Sequence, residues 1–155
     1  MAVSPGANLA LLLLSGFHTM VDEVTGELER RGHPGVRPVH EFALRAVDDG
    51  ATTASELARR LDVSRQAAAK TIAALEGLGY VERVDDPQDA RRKRLQVTDH
   101  GHDLMSVGGA LFDDVRERWS AEIGARELHA LEAHLGRLAR PRPLGADDLA
   151  RDASG

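Results

Sequence analysis

The sequence predicts a mainly α (α+β) fold, on three observations. Long stretches carry apolar residues at helical spacing, two short amphipathic helices flank a three- to four-residue turn, and two alternating segments are joined by a polar turn cluster. Between Thr53 and Gly101 they follow one another as helix, turn, helix, strand, turn, strand, which is the order of a winged helix-turn-helix.

A long first helix is expected from Asn8 to about Arg31, with Leu9, Leu12, Leu13, Phe17, Met20, Val21, Val24 and Leu28 along one stripe despite Gly16 and Gly26. A second opens with Pro38 in its first turn, buries Val39, Phe42, Ala43, Ala46 and Val47, and stops at Gly50. Ser55 to Leu61 follows a Thr-rich start and stacks Leu57 on Leu61. Asp62-Val63 breaks that pattern. Ser64 has the hydroxyl that accepts from orphan amides at a helix start, and Ala68, Ile72, Leu75 and Leu78 then recur at helical spacing. Two helices joined so closely cross steeply, so the second presents its outer face: Arg65, Gln66, Ala69, Lys70 and Ala73.

Gly79 suits a helix C′ position, Tyr80 to Val84 alternates as a strand, and Asp85 to Asp89 reads as the turn. Leu95-Gln96-Val97 returns as the second strand, and this reading places Arg91, Arg92, Lys93 and Arg94 at the tip of a two-stranded wing. Thr98 caps a helix carrying Leu104, Val107, Leu111, Phe112, Val115 and Trp119 to about Glu122, with a break at Gly124. A last helix from about Ala125 to Arg140 places Leu128, Leu131, Leu135 and Leu138 at three- and four-residue steps. Pro141 and Pro143 end it, and the polar remainder is either a flexible tail or a short frayed helix.

Composition bounds the possibilities. The 155 residues are 42% hydrophobic and only 3% aromatic, enough for one compact domain or a small domain fused to an assembly element. There is no run of about 18 apolar residues and no basic leader at the start, so a soluble, cytoplasmic protein with no membrane partner is expected. With no cysteine, disulfides and thiolate metal sites are excluded. The net charge of −5 is unevenly spread: Ser64 to Arg94 holds seven basic and five acidic residues, so the excess positive charge sits where phosphate contact is expected.

Between Ser55 and Gly101 the chain resembles the MarR family of bacterial transcriptional regulators. The resemblance rests on ELARRLDVS at the helix-turn-helix opening, LEGLGYVER leading into the wing, DPQDARRKRLQVT as the wing and TDHG at the next helix. It implies a homodimer built from the terminal helices and a palindromic double-stranded DNA operator. It also implies an Asp–Arg pair, here Asp89 and Arg91, that pins the wing. On this reading residues 1–36 form an N-terminal dimerisation helix, 37–100 the DNA-binding winged helix, 101–140 the C-terminal dimerisation helices and 141–155 a flexible tail.

The DNA contacts expected are Ser64, Arg65, Gln66, Ala69 and Lys70 in the major groove and Arg91, Arg92, Lys93 and Arg94 in the wing, with Arg92 as the minor-groove residue. The bland reading of Arg65 and Lys70 is a solvated helix face, and of the four wing cations about two are expected to reach DNA. Family members take small aromatic effectors between the dimerisation helices and the winged domain. Phe17, His18, His40 and Arg45 are candidates to contact one, with ordinary core and surface roles as the competing reading.

No cofactor and no metal is expected: His100 and His102 flank Gly101 at a spacing that points their rings apart. There is no nucleophile elbow, P-loop, dinucleotide fingerprint or HExxH spacing, so no enzymatic activity is expected. The function expected is a sequence-specific transcriptional regulator, a repressor released by a small effector. The alternative is a winged-helix protein-interaction module with weak non-specific DNA binding.

Overall fold

A computed structural model describes residues 4–139 and contains six helices and one two-stranded antiparallel sheet among them. The elements are α1 (Pro5–Arg30), α2 (Pro38–Asp48), α3 (Ala54–Leu61), α4 (Arg65–Gly77), β1 (Val81–Asp86), β2 (Asp89–Val97), α5 (Asp99–Ile123) and α6 (Ala125–Leu138). Arg140 and the tail expected at 141–155 lie outside the described residues.

Local chemistry sets the helix starts. The Ser4 hydroxyl accepts the Ala7 amide, Thr53 the Glu56 amide, Ser64 the Ala67 amide and Thr98 the Gly101 amide, each satisfying a donor that has no partner within its helix. Glu56 completes a reciprocal cap by accepting from the backbone amides of Thr52 and Thr53, and these bonds, that of Thr52 first, hold its carboxyl below the usual range. Pro38 opens α2, and Gly79, with φ of 80°, lies just past the end of α4.

The core gathers around α2. Leu44 of α2, Leu57 of α3, Ile72 and Leu75 of α4, Tyr80 ahead of β1 and Leu104 of α5 are all fully buried, and Leu95 and Val97 close the base of the wing over them. Phe42, expected in this core, is only half-buried at its margin. The C-terminal half of α1 reaches the core through Val24 and Leu28 and packs along α5.

Its N-terminal half does not. Leu9, Leu11, Leu12, Leu13 and Leu14 are 47–61% exposed, and on α6 Leu131 and Leu138 stand in solvent while Leu128 is buried. The apolar stripe that predicts α1 therefore has no cover at one end among the described residues. No helix among the described residues is long and apolar enough to cross a membrane.

The wing is longer than the apolar alternation implies. Strand pairing runs past Val84 because Asp85 lies opposite Lys93 and their side chains form an ion pair, so polar residues continue the ladder that apolar ones begin. The turn shrinks from the expected Asp85–Asp89 cluster to Pro87-Gln88.

Candidate nucleic-acid interface

The helix-turn-helix angle is set at Asp62, whose left-handed backbone (φ 52°, ψ 47°) ends α3 and lets the chain reverse within Val63 and Ser64. The second helix, α4, then rests on Ala68, Ile72 and Leu75 and exposes Arg65, Gln66, Ala69, Lys70 and Ala73 on its opposite side. Ser64 is committed to its cap, with its hydroxyl 3.0 Å from the Ala67 amide. Neither Arg65 nor Lys70 has an ion-pair partner among the described residues, so both present full charges.

The wing is fixed relative to this face at two points. Arg83 of β1 donates to Glu76 of α4 at 2.7 Å, and the Leu95 amide of β2 donates to the Thr52 carbonyl at 2.9 Å ahead of α3. These two bonds tie the helix and the wing into one surface.

The four basic residues lie along β2 rather than together at the tip. Pairing is regular from Val81↔Val97 to Asp85↔Lys93, then jumps to Asp86↔Asp89, which leaves Ala90, Arg91 and Arg92 in a bulge. Arg91 and Arg92 are exposed there, beside the tip. Lys93 is matched by Asp85. Arg94 is half-buried and lines a groove of about 370 Å³ with Asp48, Thr52 and His102, its Nε having no partner among the described residues.

Asp89 does shape the turn, but the group it holds is the Arg91 backbone amide, at 3.0 Å; the guanidinium near its carboxylate is that of Arg92, with Nε at 3.8 Å. The Arg91 side chain is left to project from the bulge, since its backbone is what the tight turn brings to Asp89. Asp86 caps the other side of the turn by accepting the Gln88 amide at 2.9 Å.

The four residues considered for an effector lie on two helices, Phe17 and His18 on α1 and His40 and Arg45 on α2. Phe17 and His18 are neighbours on α1, half-buried, with ring centroids 5.9 Å apart. His40 instead lies in the first turn of α2 with Nδ1 accepting the Arg37 amide at 3.1 Å. Burial first, and the Arg37 charge second, bring its pKa down to about 4. Arg45 is held by Glu41 at 2.8 Å, a buried carboxylate whose place against α5 is opened by Gly108. Neither the Arg94 groove nor a charged groove between α1 and α5, lined by Glu23, Glu27, Asp114 and Arg118, includes any of the four.

One constellation is not assembled by the sequence reading, which weighs His100 only beside His102. His33, 1% exposed in the α1–α2 loop, places Nδ1 3.0 Å from the Tyr80 hydroxyl and Nε2 3.0 Å from Asp103 Oδ2. A neutral imidazole satisfies both if Tyr80 donates to Nδ1 and Nε2–H donates to the carboxylate. His100 stacks on both rings, 4.8 Å from His33 and 4.7 Å from Tyr80. Burial, and then the Asp103 charge, raise the Tyr80 pKa above its usual value. The partners are 47 and 70 residues from His33 in sequence, and the one local hint is the i, i+3 placement of His100 and Asp103.

A family model described as "MarR family" matches residues 35–92, which run from the start of α2 into the wing bulge. Over this stretch the chain is similar to the MarR family. Solved structures share the architecture around it. FabT of Streptococcus pneumoniae, in complex with DNA, is 19% identical over 84% of this chain and 92% of its own, with a TM-score of 0.69. YusO of Bacillus subtilis is 22% identical over 90% of this chain and 100% of its own, with a TM-score of 0.66. MepR of S. aureus, bound to ethidium bromide, is 20% identical over 83% of this chain and 92% of its own, with a TM-score of 0.59. No curated protein matches the chain in sequence. The MarR-like segment and the helices around it thus share the fold of these solved structures.

Proposed function

We propose that the chain is a homodimeric, sequence-specific transcriptional regulator, acting as a repressor that a small aromatic effector releases. The observation that carries this reading is a single surface with Arg65 and Lys70, unpaired among the described residues, on one helix and exposed Arg91 and Arg92 on the wing tied to it. Arg65, Gln66, Ala69 and Lys70 enter the major groove, Ser64 starts the helix at the phosphates, and the bulge carries Arg91 and Arg92 to the adjacent minor groove or backbone. Lys93 and Arg94 serve the wing's own structure and add little to contact. That FabT was solved with DNA supports this placement.

Residues 1–36 and 101–140 provide the dimer. The exposed leucines of α1 and α6 support that role, since a lone domain of this size seldom leaves so many large apolar side chains in solvent. Twofold symmetry sets two recognition helices about one turn of DNA apart, roughly 10 bp, on a palindromic operator. An effector that binds better to a dimer of different spacing lowers DNA affinity by that difference. MepR with ethidium supports a planar aromatic ligand for this fold, and the half-buried Phe17–His18 pair on α1 is the place for its ring.

Titration of the full chain onto labelled duplex DNA at rising salt tests the proposal. A steep linear fall of log affinity with log salt is expected, since each neutralised phosphate releases counterions. Undetectable binding at low salt overturns it and leaves the protein-interaction module.

A further inference from the structure

The cluster at the start of α5 has no part in the DNA surface, and its donors suit another ligand. His33 is fixed by its backbone N–H, which donates to the Leu28 carbonyl at 2.9 Å, between Gly32 and Gly35, both left-handed. His100 and Asp103 share one face of the first turn of α5, which Thr98 caps and Gly101 holds tightly against Tyr80. One ring nitrogen from each histidine and one Asp103 oxygen all lie within 4.8 Å of one another. The His33 Nε2 to Asp103 Oδ2 separation of 3.0 Å approaches the ligand–ligand edge of a tetrahedral zinc site, about 3.3 Å for metal bonds of about 2.0 Å.

The geometry points to a binding site for a divalent transition-metal ion, Zn²⁺ foremost, held by His33 Nε2, His100 and Asp103 with water as the fourth ligand. Two imidazoles and a carboxylate favour zinc over the oxygen-seeking Mg²⁺ and Ca²⁺, and the absence of thiolate disfavours Cu(I). Tyr80 supplies the outer shell. When Nε2 takes the metal, the ring proton resides on Nδ1 and is donated to the Tyr80 oxygen, which fixes ring orientation and tautomer. His100 is exposed, so its ring can turn out of the stack to bring a nitrogen to the ion. The carboxylates of Asp99 and Asp103 offset the positive end of the α5 dipole, which alone would oppose a cation. A bound ion ties the loop after α1 to the start of α5, joining the dimerisation helix to the winged domain. The site stands apart from the DNA-binding reading and is tested without DNA.

The experiment is calorimetric titration of the full, chelator-treated chain with ZnCl₂. One ion per chain is expected, with His100→Ala and Asp103→Ala each weakening binding about tenfold or more. His102→Ala, on the same helix but outside the cluster, keeps wild-type affinity. Both altered ligands are exposed side chains, and circular dichroism verifies that each variant keeps the fold. With Co²⁺ in place of Zn²⁺, the absorption of a tetrahedral site appears in the wild type and is lost in His100→Ala. No zinc binding by the wild type, or equal binding by all four proteins, overturns the site.

Discussion

A Cβ atom on Gly101 would stand 2.3 Å from the carbonyl oxygen of Tyr80 and 2.6 Å from Val97 Cγ1. The same carbonyl accepts the Thr98 amide at 3.0 Å, and the Thr98 hydroxyl donates to the Gly79 carbonyl at 2.6 Å, so backbone and cap clamp α5 onto the base of the wing. Gly101→Ala is expected to destabilise the fold by about 2–3 kcal/mol, because backbone rather than a flexible side chain must move. Gly136→Ala meets nothing within 4 Å on α6 and should gain up to about 1 kcal/mol. Urea unfolding midpoints compare the two; similar midpoints would show that α5 can shift freely.

Arg92→Ala is expected to weaken DNA binding alike across sequences and to reduce the slope of log affinity against log salt by about 0.9. Arg116→Ala is the control, since its guanidinium is engaged with Glu132 at 2.6 Å between α5 and α6. An unchanged slope in Arg92→Ala would mean that the bulge remains in solvent.

Gln66 is the exposed amide on the first turn of α4, whereas Ala69 offers DNA a methyl group alone. Gln66→Ala should therefore relax preference at particular base pairs by about 1–3 kcal/mol while the salt slope stays the same. A panel of operator variants reads this directly. A uniform loss across the panel would assign Gln66 to the backbone instead.

His40 makes stability depend on pH in a defined window. Its pKa in the fold, about 4, lies below the ordinary value of about 6.5, so between these values the unfolded chain binds a proton that the folded chain does not. Its contribution to stability is flat above pH 6.5 and falls as pH decreases towards 4, by about 2 kcal/mol between pH 7 and pH 5. His40→Gln keeps an acceptor for the Arg37 amide and should flatten this difference in urea unfolding. Equal pH dependence in both proteins would contradict it.

The helices were legible because their limits are local. Ser64 and Thr98 cap within three residues, Pro38 fixes its own φ, and Gly79 takes a left-handed backbone that few residues adopt. The exposed face of α4 followed from its period alone. The wing was read short because its outer rungs are charged pairs, and Asp85 opposite Lys93 leaves no apolar alternation to detect. The fates of the four cations depend on a bulge and on the groove behind Arg94, both products of tertiary packing.

Phe17 and His40 sit on different helices whose mutual rotation no sequence period specifies, so their grouping with His18 and Arg45 was not settled by helical faces alone. His33 shows the same point in reverse. A histidine in a Gly-rich loop gives no local signal of Tyr80 and Asp103, which chain topology brings to both its ring nitrogens.

A symmetric dimer that reads DNA through α4 and the wing must select a sequence with matching twofold symmetry. Selection of bound duplexes from a random pool, at moderate salt and with the full chain, tests it most directly. The account predicts enrichment of a palindrome whose half-sites are centred roughly 10 bp apart. Recovery of unrelated sequences with no shared palindrome would contradict it.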